Sequence, residues 1–290
     1  MLLTMLERVY LEIGNICNLS CSFCTGTNRA KKQMTVEQFS IVCKRIKGKA
    51  KYVYFHVLGE PLLHPNLDEF IKIAGENDLK VCITTNGTLL KDKGEILLKN
   101  SSLVHKVCIS VHSFEGNKNS QFIDYLKMVV DFARESSKLG IYTVFRLWNN
   151  DGEFAKGEHS LNQKIEDFLR GEFPIDWQSR PKGYRLDKNL FLEYDEAFVW
   201  PTDSKENSRE KGHCYGLINQ VAILVDGTVT PCCLDSNGEI NLGNIFSSEL
   251  DEILCDKRAI LIKKGFINGE LKEKLCKKCT FIKRFNKKIK

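Results

Sequence analysis

No stretch of the chain is apolar for long enough to cross a membrane, and the opening MLLTMLERVY has neither a basic start nor an extended apolar run ending in a small-residue cleavage site. These absences argue against a membrane span and a secretory signal, and the expected compartment is the cytoplasm. No internal repeat or low-complexity block appears, which sets aside a repeat architecture. A large charge imbalance is also missing. The 43 Lys and Arg against 37 Asp and Glu leave a net charge of +6, too little to imply nucleic acid by itself. At 42% hydrophobic and 28% charged the composition is that of a globular protein, with little room for extended disorder. The 290 residues suffice for a sizeable core, and the length favours about two domains.

Cysteine is what the chain does have, with twelve in all. In a reducing compartment closely spaced cysteines read as metal ligands rather than as disulfide partners. Segments rich in β-branched and aromatic residues at 8–14, 51–57, 80–86, 105–111 and 141–148 read as strands. Helical patterns separate them: one opens at a capping box formed by Thr35 and Gln38, and others occupy 88–99 and 119–139. Strand and helix in alternation build a parallel sheet, because parallel neighbours need a crossover. A partly closed barrel and an open doubly wound sheet both satisfy the pattern, and both place ligands beyond the carboxyl ends of the strands. A further helix is expected at 161–170, followed by a mixed polar stretch to about 212 and a boundary near 205. This gives a core of 1–205 and a smaller unit of 206–290. In that unit QVAILVDGTVTPCC reads as a hairpin around Asp226 and Gly227, and SSELDEIL as a short capped helix.

Directly after the first strand, CNLSCSFC sets Cys17, Cys21 and Cys24 at intervals of four and three. Thiolates suit zinc and iron-sulfur clusters, and four of them close such a site. Three leave one metal position open to bind a substrate or cofactor directly. The plainer reading is a zinc knuckle completed by a distant residue.

The CxxxCxxC spacing of Cys17, Cys21 and Cys24 resembles the motif of the radical S-adenosylmethionine (radical SAM) superfamily. The resemblance implies a partial (β/α)6 TIM-like barrel of α/β class. It also implies a four-iron four-sulfur (4Fe-4S) cluster on the three cysteines, with S-adenosylmethionine chelating the fourth iron, and hydrogen abstraction after reductive cleavage of the sulfonium. Phe23 then packs near the adenine. HVLGEPLLHP resembles the family's Gly-Gly-Glu motif, with Gly59 admitting the methionine end and Glu60 engaging its ammonium, although Leu58 stands at the first glycine. Asn86 in TTNG, Ser110 in CISVHSF and Arg146 on the fifth strand fall where similar enzymes contact the ribose or the methionine carboxylate. An electron donor such as flavodoxin or ferredoxin is implied as well.

A second cysteine set follows. Cys214 and Cys232 are separated by 17 residues with Gly227 between them, and Cys276 and Cys279 form a CxxC. This resembles the SPASM and twitch extensions of radical SAM enzymes, with too few cysteines for two auxiliary clusters. The resemblance implies one auxiliary 4Fe-4S cluster held by Cys214, Cys232, Cys276 and Cys279 and serving as an electron relay; a zinc ribbon on the same thiolates stays open. Cys233 competes with Cys232 as ligand or remains a free thiol. Cys43, Cys82, Cys108 and Cys255 read as packing residues.

The expected function is a radical SAM enzyme that takes hydrogen from a peptide, a protein or a small molecule. The basic tail, with five Lys or Arg in the last eight residues, keeps an RNA-modifying enzyme open, although nucleic acid is the less favoured partner. A non-enzymatic iron-sulfur or zinc protein is the alternative from another class. Loops 112–120 and 149–160 are where substrate choice is expected to reside.

Overall fold

The computed structural model describes residues 5–116, 121–150, 160–204 and 208–285. Five strands run in sequence with their crossovers: β1 Leu6–Leu11, α1 Val36–Ile46, β2 Ala50–Phe55, α2 Leu67–Glu76, β3 Lys80–Thr85, α3 Leu90–Lys99, β4 Val104–Ile109, α4 Phe122–Lys138 and β5 Tyr142–Asn150. After α5 Ser160–Glu172 the chain makes β6 Gln178–Arg180, β7 Gly183–Asp187 and β8 Leu190–Glu196. The remainder holds β9 Gln220–Ile223, β10 Val229–Thr230, α6 Leu250–Leu254, α7 Lys257–Asn268 and α8 Lys274–Lys278.

These strands form one sheet in the order β10-β9-β1-β2-β3-β4-β5-β8-β7-β6. Every pairing from β9 through β1 to β5 and β8 is parallel, and the antiparallel pairings lie at the two ends. The sheet therefore has two edges and does not close, which makes it a partial barrel. β8 supplies the sixth barrel strand. The polar stretch before 212 thus contains a strand that the sequence hides, because its buried residues Leu190 and Leu192 alternate with the charged Glu193 and Asp195 farther along.

Alternation assigns the two faces. Val9, Leu11, Val53, Phe55, Val81, Ile83, Val107, Ile109, Phe145 and Leu147 are all buried, in the core they share with the crossover helices. Phe39 of α1 stacks on Phe70 of α2 with ring centroids 4.0 Å apart. Thr35 and Gln38 cap α1 reciprocally, as the sequence predicts. The other face of the strands carries Arg8, Tyr10, Tyr54, His56, Thr84, Lys106, Ser110 and Arg146, which line the barrel interior.

The hairpin at Asp226 and Gly227 is present, with Val229 opposite Ile223. Gly227 holds a φ of 85°, and a Cβ there would stand 2.5 Å from Asn244 Oδ1, so the turn requires glycine. Cys43, Cys82 and Cys108 are buried as expected, whereas Cys255 is exposed. It caps the C-terminus of α6, whose five residues bury only Leu250 and Ile253.

Candidate active site

The loop after β1 carries Cys17, Cys21 and Cys24 and is fastened on both sides. Asn15 is buried and crosses the loop, donating to the Ala30 carbonyl at 2.9 Å and accepting from the Lys32 amide at 2.8 Å. The guanidinium of Arg29 donates twice to Glu12, at 2.6 and 2.8 Å, and to the Ser236 carbonyl at 2.9 Å. Glu12 also accepts from the Val225 amide at 3.0 Å. Ser22 donates to Glu115 from its amide and its hydroxyl, and the Trp200 indole donates to the Phe23 carbonyl at 3.0 Å.

None of the twelve cysteines forms a disulfide. Burial, and then the neighbouring thiols of Cys24 and Cys17, push Cys21 up to about 12. Such a thiol gives up its proton only to a strong positive charge, which a metal cluster supplies. Cys17, Cys21 and Cys24 are near enough for their charges to act on one another. Soft sulfur donors on one short loop thus match a 4Fe-4S group.

Next to this loop the expected Gly-Glu pair takes its place. Gly59 has a φ of 81°, and a Cβ there would lie 2.3 Å from the Gly14 carbonyl, so only glycine fits against the cysteine loop. Val57 also holds a positive φ, 101°, which is costly for a β-branched residue. Leu58, at the position of the absent first glycine, packs with Val57, Ala222 and Leu224 and so ties the turn to β9. Glu60 is buried and accepts from the Leu62 amide at 3.0 Å, the Thr85 hydroxyl at 2.8 Å and the Asn86 amide at 2.7 Å. Burial raises its carboxyl to about 7 against the pull of those three donors. The Asn86 side chain donates to Asn18 at 2.9 Å and lies 3.9 Å from Cys17 Sγ.

Phe23, Ser110 and Arg146, unlike Gly59, Glu60 and Asn86, line a cavity of about 610 Å³ inside the barrel. Phe23 packs on His112, ring centroids 4.8 Å apart. His112 Nδ1 donates to the Arg146 carbonyl at 2.9 Å, and burial lowers the imidazole to about 4, so it is neutral. The Arg146 guanidinium lies over Trp148 at 4.3 Å and reaches Thr84 at 3.5 Å. The same cavity is also lined by Cys214, Cys232, Cys233, Cys276 and Cys279. Burial, followed by Cys214, Cys233, Cys276 and Cys279, raises the Cys232 thiol well above its usual value, which puts it among the other three cysteines of the set. Cys233, which burial also raises and which has Cys214 and Cys279 among its neighbours, packs as well against the Val57–Leu58–Ala222–Leu224 cluster, where Tyr10 and Trp200 also pack.

Arg8, Tyr10 and Tyr54, which the sequence reading does not single out, also line the cavity, as does His56. The signal was there: Arg8, Tyr10 and Glu12 put polar groups at every second position of a strand that in a parallel sheet is ordinarily apolar on both faces. Of the loops expected to choose substrate, residues 117–120 and 151–159 lie outside the described residues, as do 286–290 of the basic tail. Among the described residues no helix is long and apolar enough to cross a membrane.

A family profile described as the radical SAM superfamily matches residues 11–155, and a SPASM profile described as an iron-sulfur cluster-binding domain matches 214–280. The antilisterial bacteriocin subtilosin biosynthesis protein AlbA of Bacillus subtilis is 25% identical over 272 residues, which cover 83% of this chain and 58% of AlbA. The match thus spans little more than half of that relative. BtrN, solved in complex with AdoMet and 2-DOIA, superposes with a TM-score of 0.59 at 18% identity over 96% of this chain and 94% of BtrN. SuiB of Streptococcus suis, solved bound to its precursor peptide SuiA, gives 0.59 at 15% identity over 98% of this chain and 74% of SuiB. Both superpositions match the fold.

Proposed function

This chain belongs to the radical SAM superfamily, and from that premise we propose an enzyme that removes hydrogen from a peptide substrate. Membership brings S-adenosylmethionine and a 4Fe-4S cluster as cofactors, and the SPASM match brings auxiliary iron-sulfur chemistry. When bound, these groups supply reductive cleavage of the sulfonium, hydrogen abstraction from substrate and an onward path for the electron.

The residues divide that work. In this reading Cys17, Cys21 and Cys24 hold the first cluster, and Gly59, Glu60 and Asn86 receive the methionine end of the cofactor beside Cys17. Glu60 would meet an ammonium with a carboxylate already oriented by three donors, and the incoming charge would favour its ionised form. Phe23, Ser110 and Arg146 line the way from there into the interior. Cys214, Cys232, Cys276 and Cys279 hold the auxiliary cluster as an electron relay, with Cys233 left as a cavity thiol. The core and the auxiliary unit divide near 205, between β8 and β9, at residues 205–207 that lie outside the described set.

The observation that carries the proposal is that one cavity is lined both by Phe23 of the first cysteine loop, with Ser110 and Arg146, and by the second cysteine set. A substrate in it would lie beside residues of both cysteine-bearing segments. Peptide substrates are favoured by AlbA, a bacteriocin biosynthesis protein, and by SuiB, bound to a precursor peptide. A small polar substrate is the second reading, favoured by the coverage of BtrN, bound to 2-DOIA, over nearly its whole length. Anaerobically reconstituted protein should hold about eight irons, four per cluster, and release deoxyadenosine when given dithionite and S-adenosylmethionine. Zinc alone, with no deoxyadenosine, would defeat the proposal and leave a non-enzymatic metal protein.

A further inference from the structure

We propose that the substrate group entering the barrel carries a carboxylate, held by the guanidinium of Arg8 with the Tyr10 hydroxyl beside it. This deepens the peptide reading and rests on it, naming an acidic side chain as what reaches into the cavity. Arg8 and Tyr10 are successive inward residues of β1, and both line the cavity. The other cations of the cavity already have acids within it. Lys106 and Arg146 share Glu193, at 3.6 and 4.0 Å, and Lys182 pairs with Asp195 at 3.0 Å. The acid paired with Arg8 is its chain neighbour Glu7, whose side chain is 49% exposed and is not among the residues lining the cavity.

That partner is weak, because a pair open to water is screened. On the buried side, Arg8 Nε has no hydrogen-bond partner among the described residues; Arg146 Nε also lacks one but lies 4.0 Å from Glu193, whereas the neighbour of Arg8 within the cavity is the uncharged Tyr10 hydroxyl. A guanidinium donor removed from water without an acceptor costs free energy that an incoming anion would recover. The Arg8 guanidinium lies 5.5 Å from the centre of the Tyr54 ring, which supports it from one side. Burial raises the Tyr10 phenol, so it keeps its proton and can donate. One planar fork and one phenol match the two oxygens of a carboxylate. A doubly charged phosphate would need further cations, and the remaining ones each have Glu193 or Asp195 within 4.0 Å.

The test titrates the reconstituted holoprotein, with S-adenosylmethionine present, with N-acetyl-glutamate methylamide and with its uncharged glutamine counterpart, following binding by saturation-transfer NMR. The acid should bind about tenfold more tightly than the amide. Arg8→Gln should erase that preference, and Tyr10→Phe should weaken the acid several-fold while leaving the amide unchanged. Thermal melting and iron content establish that each variant is folded; should Arg8→Gln fail that check, the wild-type comparison and Tyr10→Phe decide. Equal binding of acid and amide, binding of neither, or a preference untouched in the folded variants overturns the proposal. Deoxyadenosine release by the wild type is measured separately, so its failure counts against the radical reading and leaves the acid–amide comparison standing.

Discussion

The indole of Trp200 donates to the carbonyl of Phe23 at 3.0 Å, bridging 177 positions of sequence to fasten the cysteine loop from the C-terminal side. Trp200→Phe keeps a large ring and removes the donor, leaving a half-buried carbonyl without this partner. Stability should fall by about 1 kcal/mol in denaturant titration, and S-adenosylmethionine should bind more weakly because the loop is less ordered. Unchanged affinity would mean that the loop is held well enough by its other anchors.

A larger effect is expected at Gly59. Alanine there combines a positive φ with a Cβ 2.3 Å from a backbone carbonyl, which cannot swing aside as a side chain would. Gly59→Ala should cost on the order of 2 kcal/mol or more and displace the Gly14–Ile16 backbone that leads into Cys17. Urea denaturation of the reconstituted protein, with its iron content, reads both consequences.

Glu60 gives a dependence on pH. Burial lifts its carboxyl from an ordinary 4.5 to about 7, so between those values the folded chain keeps a proton that the unfolded chain releases. Stability without S-adenosylmethionine should therefore fall as pH rises through that window, by on the order of 3 kcal/mol. Burial also raises Glu12 and Asp235, which slope the same way, so the comparison is the difference from Glu60→Gln. Parallel profiles for the two proteins would remove Glu60 as the source.

The two cysteine sets should separate cleanly by substitution. Replacing Cys17, Cys21 or Cys24 with Ala should abolish deoxyadenosine release and lower iron from about eight to about four atoms. Cys232→Ser should cost a similar amount of iron yet leave deoxyadenosine formation measurable, with turnover of substrate impaired. Cys233→Ser should keep the full iron content, since that thiol packs with Leu58 and Ala222. Loss of iron in Cys233→Ser alone would exchange the two assignments.

Much of the architecture was legible because parallel strands and their crossovers repeat two strong periods. β3 and β4 lie within a residue or two of where β-branched runs place them, and the Thr35–Gln38 box marks the start of α1. β8 was not legible, because its inward residues Glu193 and Asp195 face a polar interior and break the apolar run that announces a buried strand. The first three cysteines were legible because their intervals of four and three directly follow a strand. That Leu58 stands where a glycine was expected became intelligible only with β9 in place, because its packing partners Ala222 and Leu224 lie more than 160 positions away.

The parallel pairing of β9 with β1, Arg8 opposite Gln220 and Leu11 opposite Ile223, has a consequence for how this protein tolerates being cut. A chain ending before β9 would leave a row of backbone donors and acceptors bare along the very stave that leads into Cys17, an edge ready to recruit another molecule. The C-terminal third therefore doubles as a guard against aggregation, and any swap of that third for a foreign one must bring a strand of matching length and direction along with its cysteines.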